Sequence, residues 1–451
     1  MGAKSTAGTA PGALPLLGHT LSLLSDPLSF LTSLPEHGDL VRIRIGPLQA
    51  MVVCTPELAR QVMLNDRIFD KVGPIFDRAR DAFGDGLASC PHSRHRRQRR
   101  LVQPAFHPAR FPGYAQVMTK HIAEVTESWQ HGQILDVVPE MMALTARIAV
   151  ETMFSDALAP AVLQAVLDDS DTILSGIYIR TVVPPPLDKL LITRNRRFAR
   201  ARVRLREVIS GVITDRRTHG ADRGDLLSTL LTAGDSSEDQ GLSDVEIFDQ
   251  VMTFFVAGSE STANALAWAV YLLAGHPDVE RQLHAEVDAV LGGAAARFED
   301  LPKLELAGRV VLETLRMYPP GWTLPRTAAT DTRLGEHFIP AGTILVCSPY
   351  LLHRLPDRYP EPDRFDPDRW ADGHDALPSR EAFIPFAAGA RKCIGDTFAL
   401  TEATLALATL AARWRLQLLP SQHIRPTPSV VLHPRSLRMR AIQRGEWRNE
   451  L

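Results

Sequence analysis

The sequence predicts a mainly α-helical protein with small β-sheets, in which one long helix runs through the middle of the fold. First, apolar residues recur with helical spacing through most of the about 270 residues that follow Cys54. Second, Ser243 and Glu246 form a capping box at the start of an apolar stretch that continues to Gly275. Third, short segments of alternating polarity near both ends of the chain are typical of strands.

The chain of 451 residues is long enough to bury a large core, and no segment resembles a linker between independent modules. We expect one domain over residues 1–451, beginning with an irregular Pro- and Gly-containing arm at residues 1–24. The 45% hydrophobic and 23% charged content is ordinary for a soluble globular protein. A formal net charge of -2 argues against nucleic acid as a partner.

The four cysteines, Cys54, Cys90, Cys347 and Cys393, are far apart in the sequence. Neither a disulfide framework nor a zinc site is therefore expected, and the pattern fits a reducing compartment. The apolar stretch at 14–34 is interrupted by prolines, a glycine and an aspartate, whereas a bilayer span needs roughly 20 consecutive apolar residues. We therefore expect a soluble cytoplasmic protein without a transmembrane segment.

Local signals place the other elements. Asp26 followed by Pro27 is typical of a helix start. Residues 41–54 alternate in polarity around Gly46-Pro47 and are predicted to form a β-hairpin.

The second half of the chain contains further helix signals. After the long helix, a second is predicted from Pro277 to Leu291, a third from about Glu305 to Met317, and a last one from near Gly395. Residues 430–432 and 437–442 are predicted to form a terminal hairpin.

The decapeptide from Phe386 to Gly395 is the most informative segment, with Cys393 near its end. A thiol binds iron only as the thiolate, and the pKa of a free cysteine is about 8.5. Because Cys393 precedes a helix start, unpaired N–H groups there can stabilise a sulfur anion. Gly389 permits a tight turn, Gly395 lets the backbone approach a flat cofactor, and Phe386 can shield the sulfur from water. Arg391 can form a charge-assisted bond with a cofactor carboxylate.

These residues resemble the cytochrome P-450 family, whose signature is Phe-x-x-Gly-x-Arg-x-Cys-x-Gly. The chain matches every fixed position, and the resemblance continues through nearly its whole length. It implies a cytochrome P-450 fold, in which a helical core sandwiches haem b and Cys393 ligates the iron. For the other three cysteines a buried structural role is expected.

Glu313 and Arg316 match the family's Glu-x-x-Arg helix, where positions three apart share a face and can pair. Residues 367–370, Pro-Asp-Arg-Trp, are similar to the family's Pro-Glu-Arg-Phe element, with Asp368 and Trp370 as departures. The resemblance implies a buried network of Glu313, Arg316 and Arg369 that locks the loop beneath the haem. Without this context, the Glu-x-x-Arg pair would be an ordinary surface ion pair.

His95 and Arg99 are similar to the family's propionate-binding helix, and Arg326 aligns with another propionate-binding arginine. The resemblance implies that these side chains hold the haem carboxylates. The alternatives are a solvated basic patch for the first pair and an ordinary surface arginine for Arg326.

The segment from Ala257 to Thr262 places a glycine, two serines, a glutamate and a threonine inside an apolar helix. By resemblance, Ala257 and Gly258 lie over the haem, and Glu260, Ser261 and Thr262 are the catalytic group that feeds protons to bound O2. Ser261 stands where the family usually has threonine, so it keeps the hydroxyl but lacks the methyl that restricts χ1. The alternative is a helix kink with hydroxyls bonded back to carbonyls.

The resemblance implies a substrate pocket lined mainly by apolar side chains, which equally could be plain core packing. These candidates are Phe76, Phe83, Ile177, Phe254, Phe255, Trp322, Leu324 and Val431. Since none of them is charged, we expect a hydrophobic substrate, such as a terpenoid or a polyketide, in secondary metabolism such as antibiotic biosynthesis. Within this family, the chain resembles bacterial sesquiterpene oxidases.

The sequence contains no flavin or iron–sulfur motif, so electrons from NAD(P)H are expected to arrive through a separate ferredoxin and ferredoxin reductase. Basic side chains on the cysteine side could form the docking face for a ferredoxin: Arg94, Arg96, Arg97, Arg100 and Lys392. We expect a monomer.

Other functions remain open. A haem–thiolate enzyme could hydroxylate a macrolide, couple or desaturate substrates, or use peroxide, although the hydroxyls and carboxylate at 260–262 favour the O2 route. A haem-binding sensor without turnover is an alternative of another class. A haem-free thiol enzyme would require a His or Asn partner for Cys393 that the sequence does not suggest.

Overall fold

The computed structural model describes residues 7–155, 159–183, 192–219, 223, 225–235, 241–371 and 381–447. Within these residues the helices are α1 (Thr20–Ser25), α2 (Pro27–Ser33), α3 (Pro56–Leu64), α4 (Pro74–Phe83), α5 (His92–Val102), α6 (Phe111–Ser128), α7 (Val137–Phe154), α8 (Pro160–Val182), α9 (Ile192–His219), α10 (Leu226–Asp235), α11 (Asp244–Gly275), α12 (Pro277–Leu291), α13 (Glu305–Met317), α14 (Pro349–Leu352), α15 (Asp396–Arg413) and α16 (Arg444–Trp447). Helices thus dominate the fold, as predicted.

The strands are short and form small sheets. They are β1 (Gly8–Thr9), β2 (Leu40–Ile45), β3 (Leu48–Val53), β4 (Phe69–Asp70), β5 (Ile134–Asp136), β6 (Leu324–Ala328), β7 (Thr332–Leu334), β8 (His337–Ile339), β9 (Ile344–Cys347), β10 (Trp414–Leu418), β11 (Pro426–Pro428), β12 (Leu432–Pro434) and β13 (Arg438–Gln443). The largest described sheet has the order β1-β2-β3-β9-β6-β4, and a second has the order β10-β13-β5. Two pairs, β11-β12 and β7-β8, complete the described sheets.

The N-terminal predictions are confirmed except for the arm. The side chain of Asp26 caps α2 by accepting from the N–H of Ser29 at 3.2 Å. Strands β2 and β3 pair antiparallel up to Ile45 and Leu48, so Gly46-Pro47 forms the turn. The arm at 1–24 is not irregular throughout, because β1 pairs with β2 and α1 begins at Thr20.

The C-terminal half follows the sequence predictions for its helices but not for its last strands. The capping box of α11 is present, with Ser243 Oγ accepting from the N–H of Glu246 and the Glu246 carboxylate accepting from the N–H of Ser243. The predicted terminal hairpin is wrong. Strand β12 pairs with β11, whereas β13 pairs with β10 and β5, so the two segments join different sheets.

Helix α11 is the central element of the fold. It contributes buried residues to two hydrophobic clusters, one shared with α6, α13 and α15 and one shared with α7, α8 and α9. A helix that is apolar on nearly all sides is stable only when it is surrounded in this way. Among the described helices, none is both long and apolar enough to cross a bilayer.

Candidate functional site

The cysteine segment is a tight turn that leads into α15. Gly389 has a φ of +70°, and a Cβ there would lie 2.4 Å from the carbonyl oxygen of Met63. Glycine is therefore required both by backbone conformation and by close packing against α3. The N–H of Cys393 donates to the Phe386 carbonyl at 2.9 Å, and Gly395 caps α15. The thiol thus sits just before the helix start, as predicted.

The thiol of Cys393 differs from the other three in its surroundings. Burial raises the pKa of Cys393, while the N–H of Gly395, which donates to the sulfur, lowers it. Cys393 remains accessible to solvent, whereas Cys54, Cys90 and Cys347 are buried and burial raises the pKa of each. Those three are structural thiols, and Cys393 is the one placed to bind a ligand.

The middle of α11 presents one accessible face in an otherwise buried helix. Ala257 is exposed, and Gly258 and Ser261 are half-buried, although nearly all of their helical neighbours are buried. Positions 257, 258 and 261 lie on the same side of a helix. Because this face consists of backbone and small side chains, a flat group could approach the helix closely there.

Phe106 connects this face to the cysteine segment. Its ring centroid lies 5.3 Å from that of Phe254, which is on the accessible side of α11. A Cβ added to Gly395 would lie 3.7 Å from the same ring. The accessible thiol and the accessible face of α11 therefore border one region of the molecule.

Two polar side chains, Ser261 and Glu260, lie in the middle of α11. Ser261 Oγ donates to the carbonyl of Ala257 at 2.7 Å, which leaves its oxygen free to accept. Glu260 is buried, and its Oε1 has no hydrogen-bond partner among the described residues. Burial, together with the charge of Asp171, raises the pKa of Glu260 to about 8, so its carboxyl is protonated at neutral pH.

Thr262 does not belong to the accessible face. It is 4% exposed and lies beside Glu402 of α15. Burial raises the pKa of Glu402 to about 8, although a hydrogen bond with the Thr262 hydroxyl acts in the opposite direction. Successive residues of a helix are separated by 100°, so Thr262 cannot share the face of Ser261. The structure therefore places the Thr262 hydroxyl at the contact with α15, and its membership of the catalytic group stays a prediction.

Arg326 is a buried cation that has no ion-pair partner among the described residues. It is 3% exposed, and its guanidinium donates to the Pro325 carbonyl at 2.7 Å and to the Met63 sulfur at 3.5 Å. In the described part of the chain it forms no ion pair, and burial lowers the pKa of Arg326 to about 10. A buried guanidinium is costly unless an anion accompanies it. This donor set fits a carboxylate brought by a ligand, such as a haem propionate.

Arg391 pairs with protein carboxylates, and its expected bond to a cofactor carboxylate stays a prediction. Its Nε lies 3.3 Å from Asp66 and one terminal nitrogen 3.0 Å from Asp70, while the other donates to the Cys90 carbonyl at 2.8 Å. The guanidinium is buried, so these contacts are worth more than they would be at the surface. Arg391 therefore fastens the cysteine segment to the stretch between α3 and α4.

Lys71 is a member of this cluster that the sequence analysis missed. Its Nζ donates to the Ala88 carbonyl at 2.6 Å. Burial and the charges of Arg326 and Arg391 lower the pKa of Lys71 to about 7. No local motif marks this lysine, because the positive charges that surround it come from distant parts of the sequence.

The two predicted residues of α5 take different roles. His95 is buried, and desolvation together with the charge of Arg391 lowers its pKa to about 3, so its imidazole is neutral. Arg99 donates to the Lys392 carbonyl at 2.7 Å. Burial lowers the pKa of Arg99, and the neighbouring Cys393 offsets part of this shift. Arg99 thus supports the backbone of the cysteine segment, and the His95 side chain is a neutral group at its edge.

Glu313 is the centre of the predicted buried network. Its carboxylate accepts from Arg316 at 2.9 Å through two nitrogens and from Arg369 at 3.3 Å. The N–H of Asp366 adds a contact at 3.0 Å. Arg316 also donates to carbonyls of residues 353, 362 and 364, so the network fixes the loop that precedes the cysteine segment.

The two departures from the family's element both make contacts. Trp370 Nε1 donates to Glu313 at 2.9 Å, a bond that phenylalanine could not make. Asp368 pairs with Arg309 of α13 at 3.0 Å. The unusual residues therefore tie the same loop to α13 by additional bonds.

The predicted pocket residues divide according to helical face. Phe254 lies one turn before Gly258, on the accessible face of α11. Phe255 lies on the next stripe with Ser259 and Thr262 and is 2% exposed. Phe255 belongs to the buried hydrophobic cluster that α11 shares with α7, α8 and α9, and its place in the substrate pocket stays a prediction.

The remaining candidates come from four other segments. Phe76 and Ile177 are buried, and Phe83, Leu324 and Val431 are half-buried. Trp322 is 3% exposed and its indole N–H donates to the Ser429 carbonyl at 2.8 Å, so it fastens the loop that carries Val431.

Comparison with known proteins places the chain in a family. The family profile described as "Cytochrome P450" matches residues 9–440. The chain is 47% identical to cyclooctat-9-en-7-ol 5-monooxygenase from Streptomyces melanosporofaciens over 416 residues, which cover 92% of this chain and 90% of that protein. It is 44% identical to pentalenene oxygenase from Streptomyces avermitilis over 440 residues, which cover 97% and 98%.

The fold agrees with this match. The crystal structure of the cytochrome P450DA haem domain superposes with a TM-score of 0.88 at 28% identity, covering 97% of this chain and 98% of that one. The profile spans nearly the whole chain, and the matched residues include the complete cysteine signature around Cys393. On sequence and fold alike, this chain belongs to the cytochrome P450 family.

Proposed function

We propose that this chain is a single haem domain that inserts one oxygen atom of O2 into a C–H bond of a terpenoid in secondary metabolism. A single observation carries the proposal: an accessible thiol at Cys393 receives the N–H of Gly395 and borders the same region as the accessible face of α11. A structural cysteine would be buried, as the other three are.

The proposed substrate class rests on the character of the predicted pocket residues. Phe254, Phe83 and Leu324 are apolar, and none of the proposed pocket residues carries a charge. An apolar lining favours a ligand whose binding is driven by burial of hydrocarbon. The named relatives act on cyclooctat-9-en-7-ol and pentalenene, and we propose a substrate of that chemical class.

The cysteine segment would hold the haem. Haem bound through Cys393 would supply O2 activation and C–H oxidation. Gly395 tunes the sulfur by its hydrogen bond, Phe386 shields it, and Arg326 would neutralise a propionate in the buried site. The neutral His95 would donate a hydrogen bond to a propionate carboxylate without adding charge.

Protons would reach the accessible face through Glu260 and Ser261. Because the raised pKa of Glu260 keeps its carboxyl protonated at neutral pH, it can give up a proton that solvent then replaces. Ser261 presents a hydroxyl on the accessible face, where it can hold a water molecule.

Electrons would come from NAD(P)H through a ferredoxin reductase and a ferredoxin that docks near the cysteine segment, with the chain acting as a cytoplasmic monomer. Arg94, Arg96, Arg100 and Lys392 are exposed and offer a basic surface to an acidic protein. The sequence prediction also included Arg97, which is half-buried and pairs with Glu246 at 2.6 Å. Arg94 and Lys392 pair with Asp85 and Asp396, respectively, but both remain exposed.

Electron transfer from a surrogate acidic ferredoxin is expected to slow by about tenfold as ionic strength rises from low to high, because long-range attraction to this basic surface is screened. Stopped-flow reduction of the haem-loaded protein measures the rate. Arg96→Ala should reduce the salt dependence, whereas Arg202→Ala on α9 should not. A rate that is insensitive to salt in the parent protein would exclude the basic docking face.

The proposed function is tested by a binding screen followed by product analysis. Purified haem-loaded protein is titrated with terpenes and with polyketides, and absorption changes of the haem report binding. Ligands that bind are then incubated with NADPH and a surrogate ferredoxin system. We expect terpene-dependent NADPH consumption and a product heavier by one oxygen atom. Binding without substrate-dependent NADPH consumption would indicate a sensor, and turnover of polyketides alone would refute the substrate class.

A further inference from the structure

Thr145 of α7 makes an unusual hydrogen bond to the backbone of α11. The side chain is completely buried, and its Oγ1 lies 2.6 Å from the carbonyl oxygen of Ser259. The carbonyls of Met141 and Met142 in its own helix lie farther away, at 3.0 and 3.3 Å. A hydroxyl has one proton to donate, and the carbonyl of Ser259 is the nearest of the three acceptors. We therefore take the bond to Ser259 as the preferred one, although Ser259 is far from Thr145 in the sequence.

The accepting carbonyl lies in the turn of α11 that carries the proposed proton groups. Three more carbonyls of this turn accept side-chain donors: Phe255 from Ser259 Oγ at 2.8 Å, Ala257 from Ser261 Oγ at 2.7 Å, and Glu260 from Asn264 Nδ2 at 2.8 Å. These three donors belong to α11 itself. The bond from Thr145 is the one among these four that pulls the turn toward another helix.

A second donor weakens the regular bond of a helical carbonyl. The carbonyl of Ser259 would otherwise serve only the N–H of Ala263, four residues later. Side chains that insert into this ladder bend or open a helix locally. The bond from Thr145 draws the Ser259 carbonyl toward α7, because Ser259 lies on the side of α11 that faces α7. Ser261 lies on the accessible face. Helix α7 also packs against Gly258, since a Cβ on Gly258 would lie 4.0 Å from Ala149 Cβ.

We infer that Thr145 is a positioning residue for oxygen activation: by holding the Ser259 carbonyl toward α7, it opens the turn and sets the direction in which Ser261 faces the bound O2. This inference rests on the proposed function. An ordinary tie between two helices would contribute only to stability, so the two roles are distinguishable.

The test uses the haem-loaded protein and matched substitutions. Thr145→Val keeps the shape but removes the donor, and Thr145→Ser keeps the donor. Thr152→Val is the control, since Thr152 lies in the same helix, is buried, and its hydroxyl has no partner among the described residues. Ser261→Ala reports on the proton relay itself.

With a substrate from the screen, the measured quantity is the ratio of peroxide to product for each NADPH consumed. We expect Thr145→Val to raise this ratio by about tenfold, in the direction of Ser261→Ala, because a displaced hydroxyl delivers protons poorly. Thr145→Ser and Thr152→Val should resemble the parent protein. The dependence of the ratio on pH should also change in Thr145→Val.

A second measurement does not depend on turnover. Amide hydrogen exchange of the segment that contains Ala263 should slow in Thr145→Val, because the Ser259 carbonyl then serves that N–H alone, and it should stay unchanged in Thr152→Val. This readout is independent of any substrate.

The inference is overturned if Thr145→Val couples oxygen reduction as well as the parent while Ser261→Ala does not. It is also overturned if Thr145→Val and Thr152→Val change the ratio equally. If Ser261→Ala itself leaves the ratio unchanged, the proton relay of the proposed function is wrong, which is a separate failure.

Discussion

A Cys393→His variant is expected to lose substrate oxidation by about a thousandfold or more, because an imidazole cannot supply the electron density that a thiolate pushes onto haem iron. The turn that presents Cys393 is held by the backbone and by Gly389, so the substitution should leave the fold intact. The reduced carbon-monoxide adduct should lose the red-shifted absorption of thiolate ligation, and product formation should be lost with it.

The matched control for this experiment is Cys54→Ala. Cys54 is buried beside the end of β3 and has no contact with the cysteine segment in the described bonds. That variant should keep both the red-shifted absorption and the activity. Undiminished oxidation by Cys393→His, or a parent protein without the red shift, would show that this thiol is not the ligand.

A Glu313→Gln variant is expected to lower the free energy of unfolding by about 3–5 kcal/mol, because it leaves Arg316 and Arg369 buried without their anion. The amide has nearly the same shape, so packing is preserved and the loss measures the charge. Denaturant unfolding of the haem-loaded protein gives the free energy, and haem retention after gel filtration reports on the loop that Glu313 supports.

Trp370→Phe is the comparison for Glu313→Gln, because it removes one donor to the same carboxylate at 2.9 Å without removing a charge. It should cost only about 1 kcal/mol. If the two variants were equally stable, the carboxylate would not be the element that holds the loop.

Local sequence signals predicted those parts of the structure that depend on neighbouring residues. The capping box at Ser243 marks the start of α11, and the spacing of Gly389 and Cys393 marks the turn before α15. Glu313 and Arg316 are three residues apart, so their pairing follows from helical geometry alone. The family profile and the superposed fold confirm the resemblance that these motifs suggested.

Contacts between distant segments could not be predicted in this way. Nothing near Arg391 indicates that Asp66 and Asp70 would occupy its guanidinium. The pairing of β13 with β10 and β5 depends on how the whole chain folds, and the expected terminal hairpin was therefore wrong. By contrast, the burial of Phe255 and Thr262 follows from helical periodicity once the accessible stripe of α11 is known.

The contacts of Arg391 also bear on how the protein matures in the cell. They join residues that leave the ribosome early, Asp66 and Asp70, to one that leaves it late. Gly389 closes on the carbonyl of Met63 across the same junction. This junction therefore joins segments more than 300 residues apart in the sequence. The cysteine segment can be fastened to Asp66 and Asp70 only after Arg391 has been synthesised.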